Sequence, residues 1–168
     1  MLNYLRIRFL DDKDGSGKLL VRAQADGFSG ESGAYFNVDD LQAFAESLMV
    51  FPLPEYDSRR AISGGFGALP GRDEVPQEHV GISVYLADRQ RGYIGIQVRM
   101  ATEVWPQTRP ESKKQASVEI LVTYEPLAKF GRDLLSVVRG SLDEAVVPGE
   151  TSLYRICFLR ARTRERTA

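Results

Sequence analysis

The residues whose types and spacing come closest to a chemical site lie in the run Asp12-Lys13-Asp14-Gly15-Ser16-Gly17. Asp12, Asp14, Ser16 and Gly17 fall on the first, third, fifth and sixth positions of a calcium-binding loop, with Leu19 at the eighth. Such a loop closes with a bidentate carboxylate at its twelfth position and sits between two helices. Here the twelfth residue is Ala23, and the flanks alternate as strands do. The run therefore reads as a turn, and no metal is expected. Gly17-Lys18 lacks the earlier glycine, the following Ser or Thr and the helix that a phosphate-binding loop needs. The Gly64 to Gly67 stretch lacks the G-x-G-x-x-G spacing of a dinucleotide loop.

Nucleophilic and acid–base chemistry fares no better. His79 is the single histidine and Cys157 the single cysteine, and no G-x-S-x-G elbow is present. A cysteine without a nearby histidine or helix N-terminus behaves as a small buried hydrophobe. The carboxylate pairs Asp11-Asp12, Asp39-Asp40 and Asp143-Glu144 suit turn, helix-start and loop roles. No catalytic residue, cofactor or metal ligand is assigned. The competing enzymatic reading sets a cleft between the segment around residues 55–79 and the sheet, using His79 or nearby carboxylates.

Contact chemistry has more to work with. Tyr85, Tyr93 and Trp105 mark a candidate aromatic interaction surface for a protein partner or a second copy of the chain, joined by Arg160 and Arg162. Arg155, Arg160, Arg162, Arg164 and Arg166 are the one local basic concentration, which sets up a third reading as a weak nucleic-acid binder. Against it, 22 basic and 23 acidic side chains give a net charge of -1, so no global field favours a polyanion. A protein partner is the better expectation.

The elements that must carry these residues follow from periodicity. The 168 residues suit one domain, expected over 1–161, with a basic tail at 162–168. The N-terminus lacks the uninterrupted apolar stretch of a signal peptide, and no window reaches the length of a membrane span; with one cysteine this points to the cytoplasm. Residues 2–10 and 19–26 alternate with period two, predicting a hairpin, and Ala34 to Phe36 reads as a third strand after a turn-rich connector. Asn37 is placed to cap a helix carrying Leu41, Phe44, Ala45 and Leu48 on one face and stopped by Pro52.

Residues 55–78 form the longest irregular stretch, with a short strand near 61–66. A second hairpin spans 80–86 and 93–105, and another strand spans 116–124. A helix entered through Pro126 ends near Gly140, and Leu153 to Leu159 reads as a final strand. The order implies an α+β fold: a mainly antiparallel, meander-like twisted sheet of about 6–8 strands with two amphipathic helices packed on it.

Two stretches, FNVDDLQAFAESLMVFPL and VEILVTYEPLAKFGRDLLSVV, each feed a strand into an amphipathic helix with aliphatic and Phe anchors. In this the chain resembles small bacterial immunity proteins of the WapI-like type. The matching residues are core positions: Phe36, Leu41, Leu48, Leu127, Phe130 and Leu134. The resemblance implies a non-enzymatic bacterial protein that binds and neutralises a partner toxin.

Overall fold

The first sheet is built on alternation. The computed structural model describes residues 2–65, 68–69, 72–105 and 107–150. Strands β1 (Asn3–Asp11) and β2 (Ser16–Ala25) pair antiparallel, and Leu5, Ile7, Leu19, Val21 and Ala23 are fully buried on one face. Their turn is held by Asx geometry: Lys13 N–H donates to Asp11 Oδ1 at 2.8 Å and Ser16 N–H to Asp14 Oδ1 at 2.9 Å. Side-chain bonds, Lys13 Nζ to Asp11 Oδ2 and Ser16 Oγ to Asp14 Oδ1, each at 2.8 Å, are the main cause that holds both carboxyl pKa values below the usual range, and the N–H bonds add to it.

Strand β3 (Phe28–Asn37) is longer than the sequence predicts. The expected connector GFSGESG is largely strand, and the turn is only Asp26-Gly27, both with positive φ (51° and 95°), as a two-residue hairpin loop requires. Gly30 reads as a turn residue but serves close approach. An added Cβ there would lie 2.8 Å from Ala116 Cβ and 2.9 Å from Met100 Cε.

Helix α1 (Val38–Ser47) follows at once. Asn37 does not cap it through its side chain; its Nδ2 donates to Asp40 Oδ2 at 3.2 Å, and the Val38 N–H reaches Gly15 O at 2.9 Å. The helix also ends before Pro52. Arg60 gathers the carbonyls of Ser47, Val50 (2.6 Å) and Pro52 (3.4 Å), so a guanidinium closes the turn that the proline was expected to close.

The segment expected to be irregular contributes β4 (Arg60–Gly64) and the short paired strands β5 (Ala68–Leu69) and β6 (Arg72–Pro76). Strands β7 (Val80–Asp88), β8 (Tyr93–Ala101) and β9 (Gln115–Val122) form the predicted meander, with β4 beside β7. Helix α2 (Tyr124–Val138) carries Pro126 in its first turn and ends ahead of Gly140, whose φ is 75°. Strand β10 (Ala145–Gly149) then pairs with β1. The sequence analysis did not place this strand; its Pro148 is tolerated because β10 is an edge strand. The expected strand Leu153 to Leu159 and the tail at 162–168 lie outside the described residues.

The fold is thus α+β with two four-stranded antiparallel sheets, β10-β1-β2-β3 and β4-β7-β8-β9, in place of one. Strand β9 touches all four strands of the first sheet, and β3 touches all four of the second, as happens when two sheets cross steeply at a corner. Away from that corner the helices fill the space: α2 packs on β10 and β1, and α1 on β4 and on α2. Gly131 allows the helices to meet closely, since a Cβ there would lie 2.9 Å from Ala45 O. Leu127, Phe130 and Leu134 of α2 join both sheets in one core. Burying each such side chain contributes about 1.5–3 kcal/mol.

Candidate functional site

The inner faces of both sheets are consumed by the core, which leaves the outer faces and the seams between elements. On the second sheet, the registers place Gly81, Arg99 and Ser117 in one outer row, Ser83, Gln97 and Glu119 in the next, and Tyr85, Gly95 and Leu121 in a third. Arg99 makes a two-pronged contact with Glu78 (Nε to Oε1 2.7 Å, Nη2 to Oε2 3.2 Å), and its Nη1 reaches Ser83 Oγ and Gln97 Oε1, each at 3.3 Å. The Glu78 bonds raise the Arg99 pKa.

The Tyr85 hydroxyl donates to Glu119, its ring meets Tyr56 edge-on at 4.8 Å, and Arg59 sits over Tyr56 at 4.5 Å. Burial, reinforced by Glu119, pushes the Tyr85 phenol well above its ordinary pKa. Gly95 is what lets that ring lie flat, because a Cβ there would be 2.6 Å from Tyr85 Cε2.

A cleft of about 490 Å³ opens between Tyr35, Asn37 and Asp40 on one wall and Ser63, Gly65 and Glu78 on the other. It lies where the enzymatic reading places one. His79, however, does not line it. The imidazole is 1% exposed and sits behind Gln77, whose Oε1 is 3.1 Å from His79 Nε2. Gln77 Nε2 donates to Val104 O at 2.6 Å, and its Oε1 accepts the Val104 N–H at 2.9 Å. With that oxygen fixed as an acceptor, His79 carries its proton on Nε2. Burial lowers the His79 pKa, so the ring is a neutral peg fastening the loop after β8. Of the cleft carboxylates, Glu78 is held by Arg99 and Asp40 by Asn37.

The outer face of the first sheet is different in kind. Period two sets Arg6 and Arg8 on β1 beside Arg22, Leu20 and Lys18 on β2, with Tyr4 and Tyr35 at the margins. Arg6 approaches Glu144 at 3.7 Å and lies over the Tyr4 ring at 5.8 Å. Arg8, Lys18 and Arg22 make no ion pair among the described residues, and a depression of about 170 Å³ lies among Arg6, Arg8, Leu20 and Arg22, with Glu31, opposite Arg22 on β3, and Glu144 at its rim.

Of the aromatic residues singled out from the sequence, Tyr85 and Tyr93 share the outer face of the second sheet, and Trp105 lies apart from them. Tyr85 is 7% exposed within the second sheet's outer network. Tyr93 is half-buried at the start of β8, while Trp105 is 50% exposed in the loop beyond the strand's other end, and the strand between spans about 26 Å at about 3.3 Å per residue. Arg160 and Arg162 lie outside the described residues. The basic face was missed, although its signal was present: the alternation that buried Leu5, Ile7, Leu19 and Val21 also put Arg6, Arg8, Lys18 and Arg22 on the opposite side.

Among the described residues no three His, Cys, Asp or Glu side chains are grouped to hold a metal, and no helix is long and apolar enough to cross a membrane. Comparison with protein-family models, with curated proteins and with solved structures finds no match to the chain.

Proposed function

We propose that this chain is a small bacterial binding protein, non-enzymatic and immunity-like in mode, which neutralises a protein partner by covering it with the outer face of the first sheet. The observation that carries this reading is the open basic row of Arg8, Lys18 and Arg22 around Leu20, flanked by Tyr4 and Tyr35. Arg and Tyr dominate the energetics of protein interfaces, and cations without internal partners favour an acidic counter-surface. The partner's face is therefore acidic. The cleft gives the enzymatic reading a place, but its Glu78 and Asp40 already have partners and its neighbouring histidine is a buried peg.

The test is capture from the native host by the full chain and by the triple variant Arg8→Glu/Lys18→Glu/Arg22→Glu. A defined protein retained by the first and lost by the second supports the reading. Equal retention by both moves the contact elsewhere, and retention of nucleic acid alone overturns the protein partner.

A further inference from the structure

The outer face of the first sheet carries a charge repulsion that the fold does not relieve. The register of β1 and β2 sets Arg6 directly opposite Arg22, with Arg8 two residues on and opposite Leu20. Direct cross-strand partners have Cβ atoms about 4.5–5.5 Å apart and diagonal ones about 7–8 Å apart, so three guanidinium stems leave the sheet within one small area. Like charges directly opposite one another are destabilising. Arg22 also faces Glu31 on β3, yet the two form no ion pair. Arg6 meets Glu144 only at 3.7 Å, with both side chains nearly half exposed, and such a contact contributes little.

The neighbouring side chains lean away from this spot. Gly33 lies opposite Leu20 on β3, and an added Cβ there would be 2.9 Å from Leu20 Cδ2 and 2.9 Å from Lys18 Cε, so both side chains reach into the space over the glycine. The space left over β1 and β2 is the depression of about 170 Å³ among Arg6, Arg8 and Arg22. Sites for drug-sized ligands run to roughly 300–1,000 Å³, so this one suits a single side chain and not a nucleotide or cofactor. Half-buried Leu20 lines it, and an apolar wall strengthens a charge-assisted bond made there.

Charge narrows the choice of occupant. Three arginines against Glu31 and Glu144 leave one net positive charge around the depression, which one carboxylate neutralises and a doubly charged phosphate overshoots. Guanidinium forks match the two oxygens of a carboxylate.

We infer that Arg8 and Arg22, with Arg6 beside them, form a socket for a single carboxylate, an Asp or Glu side chain of the protein partner, and that Glu144 competes with it for Arg6. This names the contact within the basic face and rests on the reading of that face as the partner's surface.

Sodium acetate is the probe, titrated into the full chain against sodium chloride at constant ionic strength, with the arginine Nε–H resonances followed by NMR. Arg8 and Arg22 should shift together and saturate, at an affinity about tenfold above that of Arg139, an exposed arginine at the end of α2. Arg8→Gln should abolish the shift at Arg22, as two groups sharing one ligand require. Glu144→Gln should tighten acetate binding about threefold. Independent, equal shifts at Arg8, Arg22 and Arg139 overturn the socket. So does phosphate binding more tightly than acetate, which would make the ligand a phosphoryl group, and unchanged affinity in Glu144→Gln overturns the competition. The probe needs no partner, which separates the two failures: saturable acetate binding with no protein captured from the host overturns the partner while the socket stands, and capture without acetate binding does the reverse.

Discussion

The two sheets share a plan and differ in what they do with their outer surfaces. Each joins a three-strand meander to one further strand, and each gives its inner face to the common core. On the second sheet the outer polar groups close on one another: Arg99 on Glu78, Ser83 and Gln97, and Tyr85 on Glu119 under Tyr56. On the first sheet Arg8, Lys18 and Arg22 end in solvent. A polar face that satisfies itself adds to stability and has little left to offer a partner, while one that leaves its cations unpaired does the reverse. Substitutions on the second face should therefore register in stability, and those on the first in binding.

Tyr85→Ala makes the largest demand on that division. It removes a ring that is 7% exposed, lies across Gly95 and meets Tyr56 edge-on, and should cost about 3 kcal/mol in chemical denaturation. A change under about 0.5 kcal/mol, the range of ordinary surface substitutions, would show that the second face is no more structural than the first.

The next effect is one of pH. Burial depresses the His79 pKa below 6.5, opposed by the smaller attraction of Glu103. As pH falls through 6.5 the unfolded chain takes up a proton that the folded chain refuses, so stability is full above that value and declines below it until the folded pKa is passed. The slope is at most about 1.4 kcal/mol per pH unit. Denaturant midpoints between pH 7 and pH 5 should fall for the parent chain and stay flatter for His79→Gln; equal slopes would remove His79 as the cause.

Much of this architecture was legible in alternation and helical spacing. Leu5, Ile7, Leu19, Ile94, Ile96 and Ile120 announce half-buried strands, and Leu127, Phe130 and Leu134 a helix face. What stayed hidden were long-range substitutions for local signals. Gly30 looks like a turn residue because nothing nearby in sequence reveals that Met100 and Ala116 cross above it. Arg60 gives no hint that it will close α1 in place of Pro52. Aromatic residues attract attention by type, but that Tyr85 and Tyr93 share a face while Trp105 lies beyond the strand depends on a register that sequence does not supply, whereas the face-forming arginines needed only the period already used for the core.

Two small effects sharpen the comparison further. Tyr85→Phe keeps the ring and deletes only the hydroxyl given to Glu119, so it should cost about 1 kcal/mol, a fraction of the alanine variant. Arg8→Ala, Lys18→Ala and Arg22→Ala, singly, should each change stability by no more than about 0.5 kcal/mol, because none loses an internal ion pair. Lys18 is the strictest of the three: its stem lies against Gly33, where an added Cβ would be 2.9 Å from Lys18 Cε, so truncation also gives up apolar contact. Destabilisation confined to Lys18→Ala would assign that cost to the stem. Destabilisation shared by Arg8→Ala and Arg22→Ala would mean that the first face, like the second, is tied up within the fold, and would remove the reason for placing a partner there.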